Sequence, residues 1–206
     1  LGFRIFDAAT TSDLIQVYAI IPFLNILFTY GLETSFFRFA QITDPKKLYN
    51  TLSISVIATT ILFTILLFIF KAPVTGFLEM NNHPRYVGWM IGILFFDTLT
   101  VIPLSKIRFE ERPRKYAMIN VATILINILI VVFFLFYAKE AYDKDPRSFP
   151  GVLYDPNIGV GYFILANLVA SAVSLVFLYK EFSVLRFVFD RKLWREVMYY
   201  SYPLII

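Results

Sequence analysis

The 206-residue chain is 58% hydrophobic and 17% charged, and its formal net charge is +4. Its mean hydropathy of +0.68 and its low charge exclude an ordinary soluble globular domain, in which about 25% of residues are charged. Because the sequence has no cysteine, disulfides, thiolate metal sites and cysteine nucleophiles are also excluded from this chain.

Five apolar stretches predict an all-α, multi-pass transmembrane helix bundle. Each is long enough for a spanning helix, which needs about 20 predominantly apolar residues, and Asp97 is the one charged residue within them. Ser12 and Asp13 are expected to cap the first helix, and Asp44-Pro45 to mark a break before the second. The predicted spans cover residues 14–32, 52–70, 86–105, 118–138 and 157–179.

The segment after the fifth span predicts a short amphipathic helix over residues 191–201, with Asp190 as its N-cap. Such a helix is typical of the membrane interface, where its basic face meets anionic headgroups. Residues 202–206 are expected to begin a sixth span, and because the chain starts at Leu1 it is interpreted as an internal fragment. The apolar face holds Leu193, Trp194, Val197 and Met198, and the charged face holds Arg191, Lys192, Arg195 and Glu196.

The connections between the spans alternate between strongly and weakly basic, as a strictly alternating topology requires. Those after the first, third and fifth spans hold 13 of the 19 lysine and arginine residues. Basic loops stay on the cytoplasmic side of membrane proteins, so these three are expected to be cytoplasmic. The connection over residues 138–159, which contains several acidic residues, is expected to be irregular and to lie on the opposite side.

Asp97 lies in the middle of the third span, too far from either end for its carboxylate to reach the interface. An ionised group at the membrane centre costs about 2.5–3.5 kcal/mol on insertion scales, so such groups face a cavity or a partner. We therefore expect Asp97 to face the interior of the bundle. In one interpretation it lines a polar cavity, and in the other it is a protonated, hydrogen-bonded group that stabilises helix packing.

Four more charged residues complete the candidate substrate-cavity set. Arg108 and Lys106 lie at the cytoplasmic end of the span that carries Asp97, where they are either topology anchors or ligands for an anionic headgroup. Glu33 and Arg38 close the first span, and a five-residue step turns about 140° around a helix, so these two are not expected to form an ion pair. Arg38 is expected to extend to the lipid phosphates, and Glu33 is a candidate for proton coupling.

Signatures of catalysis and of cofactor binding are not found in the sequence. It contains no Ser-His-Asp arrangement, phosphate-binding glycine-rich loop or paired-carboxylate signature, so the chain is not expected to be an enzyme. Its single histidine, His83, has no second ligand residue at metal spacing and is interpreted as a loop residue. We expect no cofactor and no bound metal, membrane lipids as partners, and no nucleic acid.

Two stretches resemble a family of transporters. The run YGLETSFFRF over residues 30–39 resembles the end of the second helix of polysaccharide-biosynthesis flippases of the MATE-like MOP superfamily, particularly the Bacteroidetes branch. The run IPLSKIRFEERP over residues 102–113 resembles the end of the fourth helix and the following loop in the same proteins. Span order and spacing also match, so the chain corresponds to helices two to six and the start of the seventh.

The resemblance implies a two-lobed membrane transporter of which this chain is the N-terminal lobe, with the C-terminal lobe further along the same protein. It implies a flippase that moves an undecaprenyl-pyrophosphate-linked oligosaccharide across the bacterial inner membrane by alternating access. Such proteins serve the biosynthesis of lipopolysaccharide and other surface polysaccharides. The resemblance also implies a charged cavity between the lobes that accepts the pyrophosphate and the glycan.

Other functions remain open at the level of sequence. A multidrug cation exporter of the same fold would favour an acidic, aromatic cavity over a basic one. A membrane-embedded glycosyltransferase, acyltransferase or O-antigen polymerase would need catalytic groups in a long external loop. The longest such loop offers Asp143, Asp145, Arg147 and Asp155 without a recognisable arrangement. Residue types alone identify neither the glycan nor the coupling ion nor the oligomeric state.

Overall fold

The computed structural model describes residues 8–78, 80 and 83–204, and within these residues the chain is helical with no β-strand. A π-helical segment, Phe133–Ala138, joins α6 to α7, and short 3-10 turns occur at Gly151–Leu153 and Tyr202–Leu204. The helices are α1 (Ala8–Thr29), α2 (Leu32–Ala40), α3 (Pro45–Ile69), α4 (Lys71–Phe77), α5 (Pro84–Phe109), α6 (Pro113–Val132), α7 (Lys139–Lys144), α8 (Gly161–Phe177), α9 (Tyr179–Ser183) and α10 (Arg191–Ser201).

Three helical stretches of the described chain are long and apolar enough to cross a membrane, namely Pro45–Ile69, Pro84–Phe109 and Pro113–Lys144. A fourth is obtained if Leu14–Thr29 and Leu32–Ala40, which are bent by 42° relative to each other, form one span. The structure thus confirms the all-helical fold and gives the chain the character of a multi-pass membrane protein. The count of five is not confirmed, because α8 has 17 residues and a span needs about 20.

The first predicted span, residues 14–32, differs most from the observed helices. It is interrupted between α1 and α2 by Tyr30 and Gly31, whose φ angles are 37° and 72°. These left-handed conformations end a right-handed helix, and glycine adopts them without a steric penalty. The predicted cap is also wrong, because α1 begins at Ala8 and therefore contains Ser12 and Asp13 in its interior.

Three of the long helices begin at a proline, namely Pro45, Pro84 and Pro113. Proline suits the first helical position, since its missing N–H would have no partner there and its φ is already helical. The predicted spans that begin at residues 52, 86 and 118 start later than these helices because hydropathy omits the polar first turn. The predicted connection over residues 138–159 is irregular in part, since it also contains α7 and a 3-10 turn.

The core of the bundle is organised around α5, which packs against α1, α2, α3 and α8. Half of the apolar window of α5 is buried inside the bundle, compared with 6% of that of the stretch that begins with α6. Helix α6 packs mainly on α8, and its other side remains apolar and exposed. This difference distinguishes a central helix from a peripheral one, and the peripheral stretch is the more apolar of the two.

The basic connections meet at one end of the bundle, which we call the basic end: the first turns of α2, α3, α6 and α10 with the last turns of α5 and α9. Lys47 at the start of α3 forms an ion pair with Asp190 before α10. The hydroxyls of Ser35 on α2 and Ser201 on α10 are 2.6 Å apart. Together with an ion pair between Glu33 on α2 and Arg108 on α5, these contacts place the ends of the first, third and fifth predicted spans on the same side.

The opposite side, which we call the aromatic end, joins the start of α5 to residues 154–162. The Tyr86 hydroxyl donates a hydrogen bond to the Ile158 carbonyl, at 2.5 Å, and accepts one from the Gly161 backbone N–H, at 3.1 Å. The ring of Tyr162 stacks on Phe134 with 4.6 Å between centroids. The two ends thus differ in these contacts, which include an ion pair at the basic end and stacked rings at the aromatic end.

Helix α10 docks on the bundle in the manner that its sequence predicts. The Asp190 carboxylate accepts a hydrogen bond from the Leu193 backbone N–H at 2.9 Å, which caps the helix. Leu193 and Val197 are buried, and the Trp194 indole N–H donates to the Ser55 hydroxyl on α3 at 2.8 Å. The apolar face therefore packs against α2 and α3. Of the predicted start of a sixth span, residues 202–204 form a 3-10 turn and residues 205–206 lie outside the described chain.

Candidate functional site

The candidate site is an ion pair between Arg108 in the last turn of α5 and Glu33 in the first turn of α2. The Arg108 side chain is 32% exposed and that of Glu33 is 48% exposed, so both can be reached from outside the bundle. The guanidinium also lies 3.5 Å from the Ser105 hydroxyl, one turn earlier on α5. Glu33 and Arg108 are 75 positions apart in the sequence, so only the tertiary fold brings them together.

Aromatic rings hold the Arg108 guanidinium in position. Its central carbon lies 5.1 Å from the centroid of Phe37 on α2 and 5.2 Å from that of Tyr116 on α6. Cations within about 6 Å of a ring face are attracted by the ring quadrupole. Three helices therefore converge on one side chain, and its Nε is buried with no hydrogen-bond partner among the described residues. The guanidinium keeps donor capacity that the protein does not use.

Lys106 and Arg38 lie at the same basic end, but other residues hold them. The Lys106 ammonium is 3.5 Å from the Glu110 carboxylate and 4.8 Å from the centroid of Tyr49. The Arg38 guanidinium lies over the ring of Tyr200 on α10, at 4.2 Å. The structure thus joins Glu33 to Arg108 and keeps Lys106 and Arg38 in separate contacts.

A buried carboxylate at the basic end was missed by the sequence analysis. Glu181 on α9 is 3% exposed and accepts hydrogen bonds from the Lys115 ammonium at 2.6 and 2.7 Å. The Arg112 guanidinium lies 3.3 Å from the same carboxylate, and the Tyr49 hydroxyl donates to the Glu181 backbone carbonyl at 2.8 Å. The signal for this site was an acidic residue immediately after Lys180 in an otherwise basic connection.

Asp97 lies on α5 away from this cluster. Its carboxylate faces the Ser171 hydroxyl on α8, and Ser171 is 4% exposed. Helix α5 continues through Pro103 to Phe109, so the eleven-residue step from Asp97 to Arg108 corresponds to about 16 Å along one helix. Asp97 therefore belongs to a helix–helix contact, and the described cavities are lined by other residues.

The arrangement at the basic end can bind an anion. Arginine presents five N–H donors in a planar fork that fits carboxylate or phosphate oxygens in pairs, and Glu33 already occupies part of this fork. An incoming anion must compete with that carboxylate. Within the described residues, no three His, Cys, Asp or Glu side chains are grouped to hold a metal ion.

Comparison of the chain with protein-family models, curated proteins and solved structures finds no match.

Proposed function

We propose that this chain is the N-terminal lobe of a MATE-like flippase for an oligosaccharide that is joined to a lipid through pyrophosphate. The protein would lie in the bacterial inner membrane with its basic end in the cytoplasm, and would act as a transporter rather than as an enzyme. The resemblance of residues 30–39 and 102–113 to such flippases supports this proposal, and both stretches lie at the basic end. A second lobe of the same protein would supply the other side of the substrate cavity.

The observation that carries the proposal is the Glu33–Arg108 ion pair, because its partner can be exchanged. A pyrophosphate has more acceptor oxygens than one carboxylate and a higher charge, so it competes well for a guanidinium fork. Phe37 and Tyr116 flank the guanidinium and would hold it in the same orientation after Glu33 is displaced. A released Glu33, which is half-exposed, would then be hydrated.

The surrounding charge favours an anionic substrate over a cationic one. Lys106 and Arg38 add positive potential at the same end of the bundle, which raises the local concentration of anions. A cation exporter would have to bring its substrate to Glu33 against Arg108 and these neighbours. Asp97, at the α5–α8 contact, would change its hydrogen-bond partner when these helices move during alternating access.

The test is complementation of a flippase-deficient strain by the full-length protein, read as surface polysaccharide at matched protein levels in the membrane. Arg108→Ala removes the fork and should reduce export by at least tenfold, which corresponds to about 1.4 kcal/mol. Arg108→Lys keeps the charge without the paired donors and should lie between Arg108→Ala and the wild type. Asp97→Asn should also lower export without lowering the amount of protein.

The matched control is Arg114→Ala, which removes one positive charge from the same connection at an exposed position. It should export normally, because it changes the loop charge without touching the ion pair. If Arg108→Ala and Asp97→Asn both export as well as Arg114→Ala does, these residues serve packing and topology only, and the proposal is wrong.

A further inference from the structure

The aromatic end contains a cavity of about 260 Å³ that the proposed function does not yet use. One wall comes from the start of α5, and the other comes from the segment before α8, around Asp155 and Asn157. A cavity of this size is smaller than the roughly 300–1,000 Å³ of sites for drug-sized ligands. It suits one ring of a ligand rather than a chain of several.

The α5 wall of this cavity is a stack of three rings. His83 lies parallel to Tyr86 with 4.8 Å between centroids and an interplanar angle of 7°. Tyr86 in turn stacks on Trp89 at 5.8 Å and 23°. Because Tyr86 is 2% exposed and stacks on both neighbours, the ring surface of this wall comes mainly from Trp89 and His83 at the two ends of the stack. The wall has a rigid backing, because the Tyr86 hydroxyl is held by two hydrogen bonds to the backbone of residues 158 and 161.

The cavity is also lined by planar polar groups, Asp155 and Asn157 on the facing wall and Arg85 in the first turn of α5. One oxygen of the Asp155 carboxylate accepts hydrogen bonds from the Asn157 backbone and side-chain N–H groups, at 3.0 and 2.9 Å. The other oxygen lies 3.6 Å from the Arg85 guanidinium, beyond ordinary hydrogen-bond distance. Among the described residues, Asp155 thus keeps acceptor capacity, the Asn157 amide keeps its acceptor oxygen, and the 72% exposed Arg85 keeps donors only.

We infer that this cavity binds a single sugar ring of the transported glycan. A pyranose has an apolar face of C–H groups, which packs on an aromatic wall, and an edge of neighbouring hydroxyls that both donate and accept hydrogen bonds. Carboxylate, amide and guanidinium groups satisfy such an edge because each presents paired acceptors or donors in a plane. The cavity combines the rings of Trp89 and His83 with these polar groups.

The cavity lies at the opposite end of α5 from Arg108. Trp89 and Arg108 are nineteen residues apart on α5, or about 29 Å along the helix, which is close to the thickness of the bilayer core of about 30 Å. The inference rests on the proposed function for the source of the sugar, since a flippase substrate carries pyrophosphate at one end and sugars at the other. The cavity would hold a sugar on the side opposite the pyrophosphate site.

Binding can be tested without transport. The purified full-length protein, in a detergent that has no sugar headgroup, is titrated with glucose, galactose and N-acetylglucosamine, and saturation transfer to each sugar is measured by NMR. At least one of the three should bind saturably, at millimolar concentration. Asp155→Asn and Trp89→Ala should each weaken that binding at least fivefold, whereas Trp89→Phe, which keeps a ring in the wall, should weaken it less than Trp89→Ala.

The matched control is Asp143→Asn, which removes an exposed carboxylate from the same connection without changing the cavity. It should bind the sugar as the wild type does. The inference is overturned if none of the three sugars binds saturably, or if Asp143→Asn and Asp155→Asn reduce binding equally. If Trp89→Ala does not fold, the comparison of Asp155→Asn with Asp143→Asn still tests the inference. Trp89→Phe is a conservative change and also remains usable.

The same preparation separates this inference from the proposed function. If the wild type binds sugar while Arg108→Ala and Asp97→Asn both export normally, only the flippase proposal is contradicted. Impaired export in Arg108→Ala without sugar binding in the wild type would contradict only the sugar site. Inorganic pyrophosphate serves as the second probe, and its binding should depend on Arg108 and be unchanged in Asp155→Asn.

Discussion

At the scale of single residues, the most demanding position is Gly161, where α8 begins against α5. A Cβ atom built there would lie 2.8 Å from Cζ of Tyr86 and 3.0 Å from Cζ3 of Trp89. The Tyr86 ring cannot move aside easily, because its hydroxyl is fixed by hydrogen bonds to the backbone of Ile158 and of Gly161 itself. Glycine is required here because a Cβ atom would lie too close to these two rings, and not because of an unusual φ.

Gly161→Ala should therefore destabilise the protein by about 1–3 kcal/mol, the usual range for overpacking, as measured by thermal unfolding in detergent. Gly92→Ala should destabilise it less, because the nearest atom to its Cβ, at 2.7 Å, is the mobile end of Leu168. Gly76→Ala is the control, since no atom lies within 4 Å of its Cβ. Equal effects of the three changes would refute the close-approach argument.

Glu181 is the second residue whose environment makes a prediction. Glu181→Gln leaves the Lys115 ammonium, which is 23% exposed, without a charged partner, and breaking a buried pair is costly. Since Lys115 and Arg112 retain some access to water, we expect a loss of about 1–3 kcal/mol in unfolding free energy. Glu140→Gln, which breaks a pair that is exposed at both partners, should produce no measurable change in the same assay.

At the scale of secondary-structure elements, α10 depends on the Asp190 carboxylate, which makes two different contacts. Asp190 caps the helix through Leu193 and pairs with Lys47. The hydrogen bond from Lys47, followed by that from the Leu193 backbone, holds the pKa of Asp190 below its ordinary value of 3.8. A carboxylate whose pKa is lowered by folding stabilises the folded state above its ordinary pKa, and this contribution is lost as pH falls through the lowered value.

Docking of α10 should therefore weaken on acidification. Amide exchange of residues 193–201, compared between about pH 6 and pH 3 after correction for intrinsic rates, should show a larger loss of protection in the wild type than in Asp190→Asn. The asparagine side chain still caps the helix but has no charge to titrate. A loss of protection that is identical in the two proteins would assign the pH dependence to other groups.

The elements were predictable where local chemistry decides them, and not where packing does. Pro45, Pro84 and Pro113 and the Asp190 cap are visible in the sequence, and each lies where a helix starts. The break at Tyr30-Gly31 was not predicted, because an apolar window of about 20 residues averages over a bend. The helix lengths at the basic end were underestimated, since the polar turns that extend α3, α5 and α6 are stabilised by contacts between helices that no window contains.

The residues of the candidate site were predictable in the same way, from local sequence but not from packing. Glu33 and Arg108 were each identified from their positions in the sequence, but their pairing required the fold, because helix periodicity describes neighbours within one helix only. Glu181 was missed, since nothing in its local sequence indicates that Lys115, distant in the chain, neutralises it. Buried charge is a property of the tertiary structure, and a sequence gives only its residue types.

At the scale of the whole molecule, the two ends of the bundle predict a topology. Because the three strongly basic connections meet at one end, they should all be cytoplasmic. Single cysteines at exposed Glu111 and Glu196 should react with an impermeant thiol reagent only after permeabilisation, whereas cysteines at exposed Asp143 and Val152 should react in intact cells. The chain has no cysteine of its own, so it contributes no background. The reverse labelling pattern would invert the proposed orientation. Asn82, another position on the weakly basic side of the predicted topology, lies outside the described residues.

Helix α5 connects the aromatic end of the bundle to the basic end as one continuous helix. It runs without interruption from Pro84 to Phe109, with the aromatic stack near its first turns and Arg108 in its last. A ligand that tilts or rotates this helix at one end must reposition the other end as well. Thermodynamic linkage then requires reciprocity, so that pyrophosphate would change the affinity for sugar by the same factor as sugar changes the affinity for pyrophosphate.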